Sequence, residues 1–255
     1  MLGAGQRLSQ EVALVTGSSR GLGRHIAEGF AREGAVVHVT YVADEEAGTS
    51  TVAGIREAGG EAHLHQLDVL HRDQIQSVLK KVVSISGGLD ILVNNAGVNR
   101  RGWFEDVTDE DWDWVMDVNL KGPFICCQEA FPLLRSRGGG RIINMASVAG
   151  QYHGPKTVHY AVSKAGLISL TKILARYGAP DEILVNAVAP GLIPTDQTAD
   201  EVDSEGGRRV IGMTLLGRPG TPQDVLATCL FLASREQNYV TGQVVSVSGG
   251  AYLGS

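Results

Sequence analysis

Apolar residues in this chain come in short, nearly continuous runs that alternate with longer stretches of helical periodicity. The runs are rich in Val, Ile and Leu, which is typical of strands buried on both faces of a parallel sheet. The predicted strands are Glu11–Thr16, Ala35–Tyr41, Ala62–Val69, Leu89–Asn95, Arg141–Ser147, Ile183–Pro190 and Gln243–Gly250. This alternation predicts right-handed βαβ units and one doubly wound α/β domain of about seven strands over residues 1–255.

The stretches between the runs have the mixed polar and apolar periodicity of helices. Segments with this pattern include Gly23–Arg32, Arg72–Ser84, Thr108–Leu134 and Thr157–Arg176. The third begins with Thr108 and, three residues later, Asp111, an acidic variant of the capping box that marks helix starts. We therefore expect helices on both faces of the sheet.

A glycine-rich turn follows the first predicted strand directly, in the segment TGSSRGLGR (Thr16–Arg24). Glycine permits positive φ and close backbone approach, and the helix that follows offers free N–H groups to a pyrophosphate. A turn of this kind can also serve only to pack a helix on a sheet, but its place between strand and helix favours a Rossmann-like dinucleotide site. The predicted cofactor residues of the turn are Gly17, Ser19, Arg20, Gly21, Leu22 and Gly23.

The choice between NADP(H) and NAD(H) depends on the end of the second strand, where NAD sites place an acid on the ribose 2′-hydroxyl. That strand ends in Thr40, Tyr41 and Val42, and the first acid, Asp44, comes later. Arg20 lies in the phosphate turn, where a guanidinium can pair with a 2′-phosphate. These features favour NADP(H). In the alternative interpretation Arg20 is a solvated cation, Asp44 reaches the ribose, and NAD(H) is the cofactor.

Composition excludes several other classes of protein. The 255 residues carry a formal net charge of -6, which argues against nucleic acid and anionic membranes as partners. No apolar run reaches membrane-spanning length, and the first ten residues lack the apolar core of a signal peptide. Cys126 and Cys127 are adjacent rather than spaced as ligands. We expect buried thiols, no bound metal and a cytoplasmic location.

Further motifs occur in a fixed order after the glycine-rich turn. They are NNAG (Asn94–Gly97), Asn119, Ser147, YAVSK (Tyr160–Lys164) and PGLIPT (Pro190–Thr195). Together with TGSSRGLG they resemble the short-chain dehydrogenase/reductase family, close to its 3-oxoacyl-thioester and ketone reductases. The resemblance covers nearly the whole chain.

The resemblance implies a set of cofactor contacts. The segment LDV (Leu67–Val69), at the end of the third predicted strand, contacts adenine, the NNAG turn lines the cofactor, and PGLIPT surrounds the nicotinamide. The residues so implied are Asp68, Val69, Asn95, Ala96, Gly97, Tyr160, Lys164, Pro190, Gly191, Ile193 and Thr195.

The resemblance also implies the catalytic groups of a hydride transfer between a nicotinamide and a carbonyl or secondary alcohol. Tyr160 is then the general acid, Lys164 its partner one helical turn away, Ser147 a hydrogen-bond donor to the substrate oxygen, and Asn119 the holder of a relay water. Lowering a phenol pKa from ~10 to ~7 takes about 4 kcal/mol. One partly screened ammonium at ~6 Å supplies roughly 1–3 kcal/mol, so bound cofactor and hydrogen bonds must contribute as well.

Two other functions remain open. One is an NAD-dependent dehydrogenase of a secondary alcohol or sugar. The other is a cofactor-binding regulator without chemistry, which the complete set of Ser147, Tyr160 and Lys164 disfavours. The variable segment 192–216 is expected to cover the substrate. The sequence does not favour a substrate bound to a carrier protein, because GAPDE (Gly178–Glu182) is acidic where a basic docking patch is expected. This alternative stays open, since docking cations could instead be Arg100, Arg101, Arg135 and Arg137.

We expect a homotetramer, since the family assembles through long helices such as Thr108–Leu134 and Thr157–Arg176 and through the C-terminal strand. Trp103, Trp112 and Trp114 are interpreted as packing and interface residues without a chemical role. The expected substrate is a small carbonyl compound or alcohol.

Overall fold

The structure, a computed structural model, describes residues 6–152, 156–195 and 204–254. Within these ranges seven strands form one parallel sheet in the order β3-β2-β1-β4-β5-β6-β7, which confirms the predicted doubly wound α/β fold. The strands are β1 (Val12–Val15), β2 (Val36–Tyr41), β3 (Glu61–Gln66), β4 (Ile91–Asn94), β5 (Gly140–Met145), β6 (Ile183–Pro190) and β7 (Val244–Val247).

Several predicted strands extend too far at their carboxyl ends. β3 ends at Gln66, so Asp68 and Val69 lie beyond the ladder, and β5 ends at Met145, two residues before Ser147. Val69 and Ala146 are apolar and continue the strand pattern, but beyond the ends of both strands the chain lines a cleft. Hydrophobic pattern alone does not mark where a ladder stops.

Helices connect the strands, and those over Gly21–Arg32, Arg72–Ser86 and Val158–Gly178 begin and end within two residues of predicted helical segments. They are α1 (Gly21–Arg32), α2 (Glu45–Glu57), α3 (Arg72–Ser86), α4 (Asp109–Met116), α5 (Gly122–Ser136), α6 (Val158–Gly178), α7 (Glu205–Gly212) and α8 (Pro222–Ala233). None of the helices in these ranges is long and apolar enough to cross a bilayer.

The two faces of the sheet are covered by different helices. On one face α1, α2 and α8 pack on the sheet through a core that includes Ile26, Phe30 and Leu226. On the other face α3 and α5 form a second core that includes Leu79 and Leu134. Because both faces are buried, the central strands need the nearly continuous Val/Ile/Leu runs seen in the sequence.

The three cysteines are buried in these cores, as predicted. Cys126 and Cys127 lie in the α3–α5 core and Cys229 lies in the α8 core. Burial raises the pKa of Cys127 and of Cys229 to about 12, because the thiolate would be desolvated. These thiols are packing groups at neutral pH.

The predicted helix Thr108–Leu134 is helical along its length but contains one wide turn. α4 is followed by a π-helical turn, Asp117–Lys121, and then by α5. Thr108 caps α4 by accepting a hydrogen bond from the Asp111 backbone N–H at 3.1 Å. The Asp111 carboxylate pairs instead with Arg100, so the capping box is used only in part. π turns of this kind often occur at functional sites.

A charge network around one buried carboxylate joins the amino ends of the strands to neighbouring helices. Asp90, only 1% exposed, accepts a 2.9 Å hydrogen bond from the Val12 backbone N–H at the start of β1. Its carboxylate also accepts from the Arg137 guanidinium, at 2.9 and 3.2 Å, at the end of α5. Arg235, just after α8, lies 3.6 Å from Asp90 and pairs with Glu11. One carboxylate thus joins β1 and β4 to two helices from opposite faces of the sheet.

Replacing this carboxylate should destabilise the fold strongly. We expect Asp90→Ala to lower the free energy of unfolding by about 1–3 kcal/mol, because it leaves the buried Val12 N–H without an acceptor and removes the bidentate partner of Arg137. Equilibrium urea unfolding measures the change. The matched control is Asp181→Ala, which removes the partner of the exposed Arg135 and should cost less than about 1 kcal/mol. Equal losses in the two variants would contradict the role assigned to Asp90.

Candidate active site

A cleft of about 1220 Å³ opens along the carboxyl ends of the strands. Residues that follow β1 and β4 line it, and these strands are neighbours from which the chain continues in opposite directions across the sheet. Open α/β sheets bind ligands at such a switch point. The site residues predicted from the sequence all line this cleft except Asn119, which is fully buried.

The glycine-rich turn after β1 has the backbone that a phosphate site requires. Gly17 and Gly21 adopt φ of +62° and +59°, a region that side chains with a Cβ rarely enter. At Gly23 a Cβ would lie 2.4 Å from both the Gly17 carbonyl and the Asn95 amide. Arg20, which precedes α1, gives the helix no side-chain cap, so the first N–H groups of α1 are left for an anion. The turn therefore fits a pyrophosphate.

The NNAG turn after β4 is fastened to this glycine-rich turn. The Asn95 side-chain amide donates 2.9 Å hydrogen bonds to the backbone carbonyls of Thr16 and Gly17. In return, the Thr16 hydroxyl accepts from the backbone N–H groups of Asn95 and Ala96, each at 3.0 Å. Gly97 comes close to the Lys164 ammonium, since a Cβ there would be 3.4 Å from Nζ. The two loops thus form one wall of the cleft.

The end of the cleft where the sequence predicts the adenosine, called the adenosine end below, lies beyond β2 and β3. Arg20, Asp44, Asp68 and Val69 line it. The Asp44 carboxylate caps α2, accepting a 2.9 Å hydrogen bond from the Ala47 N–H. Asp68 accepts from the Leu70 N–H at 3.0 Å. Both carboxylates thus accept hydrogen bonds from backbone N–H groups that follow closely in the chain.

The PGLIPT segment lines the opposite side of the cleft, after β6. Pro190, Gly191, Ile193 and Thr195 all contribute to the lining. Of the predicted cover 192–216, residues 196–203 lie outside the described residues, whereas α7 is described. Val210 on α7 and Met213 just after it line the cleft, so the described part of this segment stands over the cleft.

Ser147, Tyr160 and Lys164 come together from two elements. Ser147 follows β5 and starts a 3-10 turn, where its hydroxyl accepts a 3.1 Å hydrogen bond from the Ala149 N–H. Tyr160 and Lys164 lie one turn apart on α6, with the ammonium 5.6 Å from the centre of the phenol ring. Gly150 fits this turn against α6, since a Cβ there would be 2.7 Å from the Lys164 backbone carbon.

Lys164 is buried, and its ammonium donates a 2.8 Å hydrogen bond to the Met145 backbone carbonyl at the end of β5. Burial lowers the pKa of this ammonium to about 8, because the charge is removed from water. A buried ammonium is stabilised by groups that carry negative charge. Because Lys164 lines the cleft, a ligand bound there can supply such a group. The fold therefore holds a costly charge in place.

Asn119 lies in the π turn, behind the wall of the cleft. Its side-chain Oδ1 accepts from the Val98 N–H, and Nδ2 donates to the Val98 carbonyl, both at 2.8 Å. Nδ2 also donates to the Ser163 hydroxyl at 3.1 Å, and this hydroxyl donates to the Tyr160 carbonyl at 2.7 Å. The amide thus ties the loop after β4 to the helix that carries Tyr160.

Sequence reasoning missed several residues of the cleft. Trp114, interpreted as a packing residue, lines the cleft from the end of α4, and Tyr252 near the chain end lines it as well. Gly150, which does not line the cleft but packs the turn after Ser147 against α6, was also missed, although a glycine three residues after Ser147 was a usable signal. Tyr152 lines the cleft as well, and its neighbour His153 lies outside the described residues. Within the described residues, His, Cys, Asp and Glu form no group of three or more suited to a metal ion.

Comparisons with known proteins bear on this geometry. A family model described as "Enoyl-(Acyl carrier protein) reductase" matches residues 17–252. The 3-oxoacyl-[acyl-carrier-protein] reductase FabG of Staphylococcus aureus is 42% identical over 94% of this chain and 98% of its own length. The Thermotoga maritima protein of the same name is 41% identical over 97% of this chain and 100% of its own. A solved structure from Sinorhizobium meliloti, provisionally named a short-chain alcohol dehydrogenase, has a TM-score of 0.91 and 36% identity, with 98% of both chains covered.

The chain belongs to the short-chain dehydrogenase/reductase family. Its members are oxidoreductases that bind a nicotinamide cofactor, and the match extends over the cleft residues from Gly17 to Tyr252. The positive φ at Gly17 and Gly21 and the uncapped start of α1 fit the pyrophosphate of such a cofactor.

Burial of the Lys164 ammonium should lower the free energy of unfolding of the protein by an amount that depends on pH. The folded-state pKa, about 8, lies below the ordinary value of 10.5, so the folded state binds fewer protons between these pH values and stability rises with pH there. The full cost is present below about pH 8. We expect Lys164→Met to be more stable than the wild type at pH 7.5. By pH 9.5 the difference between their free energies of unfolding should have shrunk by about 2 kcal/mol.

Urea unfolding of both proteins at the two pH values measures this difference. Lys172→Met, an exposed lysine of the same helix, is the control and should show no change in relative stability with pH. A constant difference between wild type and Lys164→Met would show that the ammonium is not desolvated.

Proposed function

We propose that this protein is an NADP(H)-dependent reductase of a carbonyl compound, of the 3-oxoacyl thioester or small ketone type, with Tyr160 as its general acid. The observation that carries the proposal is the buried Lys164 ammonium, held 5.6 Å from the Tyr160 ring in a cleft that begins at a phosphate-binding turn. A charge buried at this cost favours ionisation of the neighbouring phenol. That is what a tyrosine needs to exchange a proton near neutral pH.

In the proposed reaction, bound NADPH supplies the hydride that reduces the carbonyl carbon. The Ser147 hydroxyl donates a hydrogen bond to the carbonyl oxygen and holds it beside Tyr160. The Tyr160 phenol gives its proton to that oxygen as negative charge develops there. The Lys164 ammonium stabilises the phenolate left behind, and the same ammonium can bind the ribose hydroxyls of the cofactor.

The phenolate must regain its proton from solvent. We propose that Asn119 helps by holding a water of the proton relay. Both N–H groups of its side chain and its Oδ1 have partners in Val98 and Ser163. Its side chain is thus occupied in positioning α6. We therefore assign the holding of a relay water to its backbone carbonyl in the π turn, where the wider helical spacing displaces carbonyls from their usual partners.

NADP(H) is proposed over NAD(H) because of the charges at the adenosine end. Asp44 accepts a hydrogen bond from the Ala47 N–H as the cap of α2, which holds its carboxylate on its own helix. Arg20 lines the cleft at the phosphate turn, where a guanidinium can pair with the 2′-phosphate. An NAD-dependent alcohol or sugar dehydrogenase, the alternative, would place an acid at the end of β2, where Tyr41 stands.

The names of the curated relatives point to 3-oxoacyl groups on an acyl carrier protein, but the surface charges here disfavour a carrier. Three of the four arginines considered for docking are in ion pairs: Arg135 with Asp181, Arg137 with Asp90 and Arg100 with Asp111. Their charge is largely neutralised. We therefore propose a free thioester or small ketone as the substrate. A regulator without chemistry is disfavoured, because Ser147, Tyr160 and Lys164 are all present.

We also propose that the protein is a homotetramer. Phe124 of α5 and Val162, Ile173 and Tyr177 of α6 are exposed large apolar side chains, each more than 40% accessible. The rings of Phe131 and Tyr177 are in contact at 5.2 Å and join these helices into one surface. Apolar surface of this kind is typical of subunit contacts. A cytoplasmic location remains a prediction from the sequence.

Removal of the phenol hydroxyl tests the proposed acid. We expect Tyr160→Phe to lower kcat by roughly 10²–10⁴-fold, because the carbonyl oxygen loses its proton donor. The dissociation constant of NADPH should stay within about twofold, since the phenol hydroxyl contributes little to cofactor binding in this mechanism. NADPH absorbance with ketones and 3-oxoacyl thioesters measures turnover, and NADPH fluorescence measures binding.

Retained turnover in Tyr160→Phe would remove tyrosine from the mechanism. If the wild type binds NADPH but oxidises it with none of these substrates, the reductase proposal fails and the regulator is favoured.

The cofactor preference can be tested at Arg20. We expect Arg20→Gln to raise the KM for NADPH about tenfold and to leave the KM for NADH nearly unchanged, because one charge-assisted bond to the 2′-phosphate is lost. Arg24→Gln is the matched control, since Arg24 pairs with Glu28 on α1 and does not line the cleft. Equal effects on the two cofactors would contradict the preference for NADP(H).

A further inference from the structure

The substrate end of the cleft is lined mainly by apolar and aromatic side chains. We give this name to the described lining residues beyond the cofactor set, on the loop after β4, at the end of α4, after β5 and around α7. They include Val98, Trp114, Val148, Tyr152, Val210 and Met213. Within this described part of the cleft, the one formal charge belongs to Arg101.

The backbone on both sides of Arg101 is held in place. Val98 exchanges two 2.8 Å hydrogen bonds with the Asn119 side chain, and Asn119 is fully buried. On the other side, the Gly102 N–H donates to the Lys156 carbonyl at 3.3 Å. The segment between these anchors is short, so Arg101 occupies a fixed place on the loop.

The cations next to Arg101 are engaged elsewhere. Arg100 pairs with Asp111, and its guanidinium lies 5.2 Å from the Trp114 ring. The Lys156 ammonium lies 4.5 Å from the Trp103 ring. Arg101 also makes an interaction within the chain, but a guanidinium has five N–H donors and can bind an oxyanion as well. Of these three cations, Arg101 lines the cleft.

We propose that Arg101 determines substrate specificity by binding an oxyanion, a carboxylate or a phosphate, that the substrate carries away from its reacting carbonyl. The inference rests on the proposed carbonyl reduction and adds a substrate class to it. The apolar walls bind the body of the substrate, and a guanidinium forms charge-assisted, often bidentate bonds with carboxylate or phosphate. An anionic ketone or a phosphate-bearing 3-oxoacyl thioester satisfies both parts of the site.

Two pairs of substrates test this, each pair sharing one reacting ketone. Levulinate is compared with methyl levulinate, and 3-oxobutanoyl-coenzyme A with the N-acetylcysteamine thioester of the same acid. For Arg101→Gln we expect kcat/KM to fall roughly tenfold on the anionic members, mainly through KM, and to stay within about twofold on the neutral ones. Arg72→Gln, which removes an exposed arginine paired with Glu129, is the control and should change neither.

Each result decides the proposal. A loss confined to levulinate identifies a carboxylate, and a loss confined to the coenzyme A thioester identifies a phosphate. Equal losses on charged and neutral members, or no loss, overturn the assignment.

If the wild type turns over none of these substrates, the reductase proposal fails and binding decides the role of Arg101. The same compounds are then titrated calorimetrically into NADP⁺-saturated protein. Tighter binding of the anions that is lost in Arg101→Gln supports the role, and equal affinities for charged and neutral members overturn it.

Discussion

The hydrogen bonds that the Asn95 amide donates to the carbonyls of Thr16 and Gly17 set the shape of the cleft. They join the loops after β1 and β4, the two neighbouring strands whose connections leave in opposite directions. These hydrogen bonds hold the two loops at a fixed distance from each other, although the loops diverge at the edge of the sheet. The two loops approach so closely at Gly23 that a Cβ there would touch both the Gly17 carbonyl and the Asn95 amide, so only glycine fits at this position.

A second set of buried polar bonds positions α6 against the sheet. The Asn94 amide donates to the Asn144 oxygen, and the Asn144 amide donates to the Thr171 hydroxyl, which links β4, β5 and α6. At the other end of the helix, Asn119 reaches Ser163. Directional bonds in an apolar interior fix one register where packing alone permits several. The positions of Tyr160 and Lys164 therefore depend on asparagines that do not line the cleft.

The sequence predicts the sheet and the glycine-rich turn well, because both depend on local features: Val/Ile/Leu runs, and glycines directly after a strand. It does not predict where β3 and β5 end, since Val69 and Ala146 continue the apolar pattern beyond the last residues of these strands. The position of Trp114 was missed because it depends on the packing of α4 beside the cleft. Of the candidate site, the sequence identifies the residue types and their order, whereas the burial of Lys164 and the part of Asn119 as a brace appear only in three dimensions.

The charge network around Asp90 lies at the amino ends of the strands, the edge of the sheet opposite the cleft. The candidate active site and the network that joins the strands and helices therefore lie at opposite edges of the sheet. Substitutions at separated sites tend to have additive effects. Substitutions at the amino edge should consequently change the stability of the fold, in either direction, largely independently of substitutions in the cleft at the carboxyl edge.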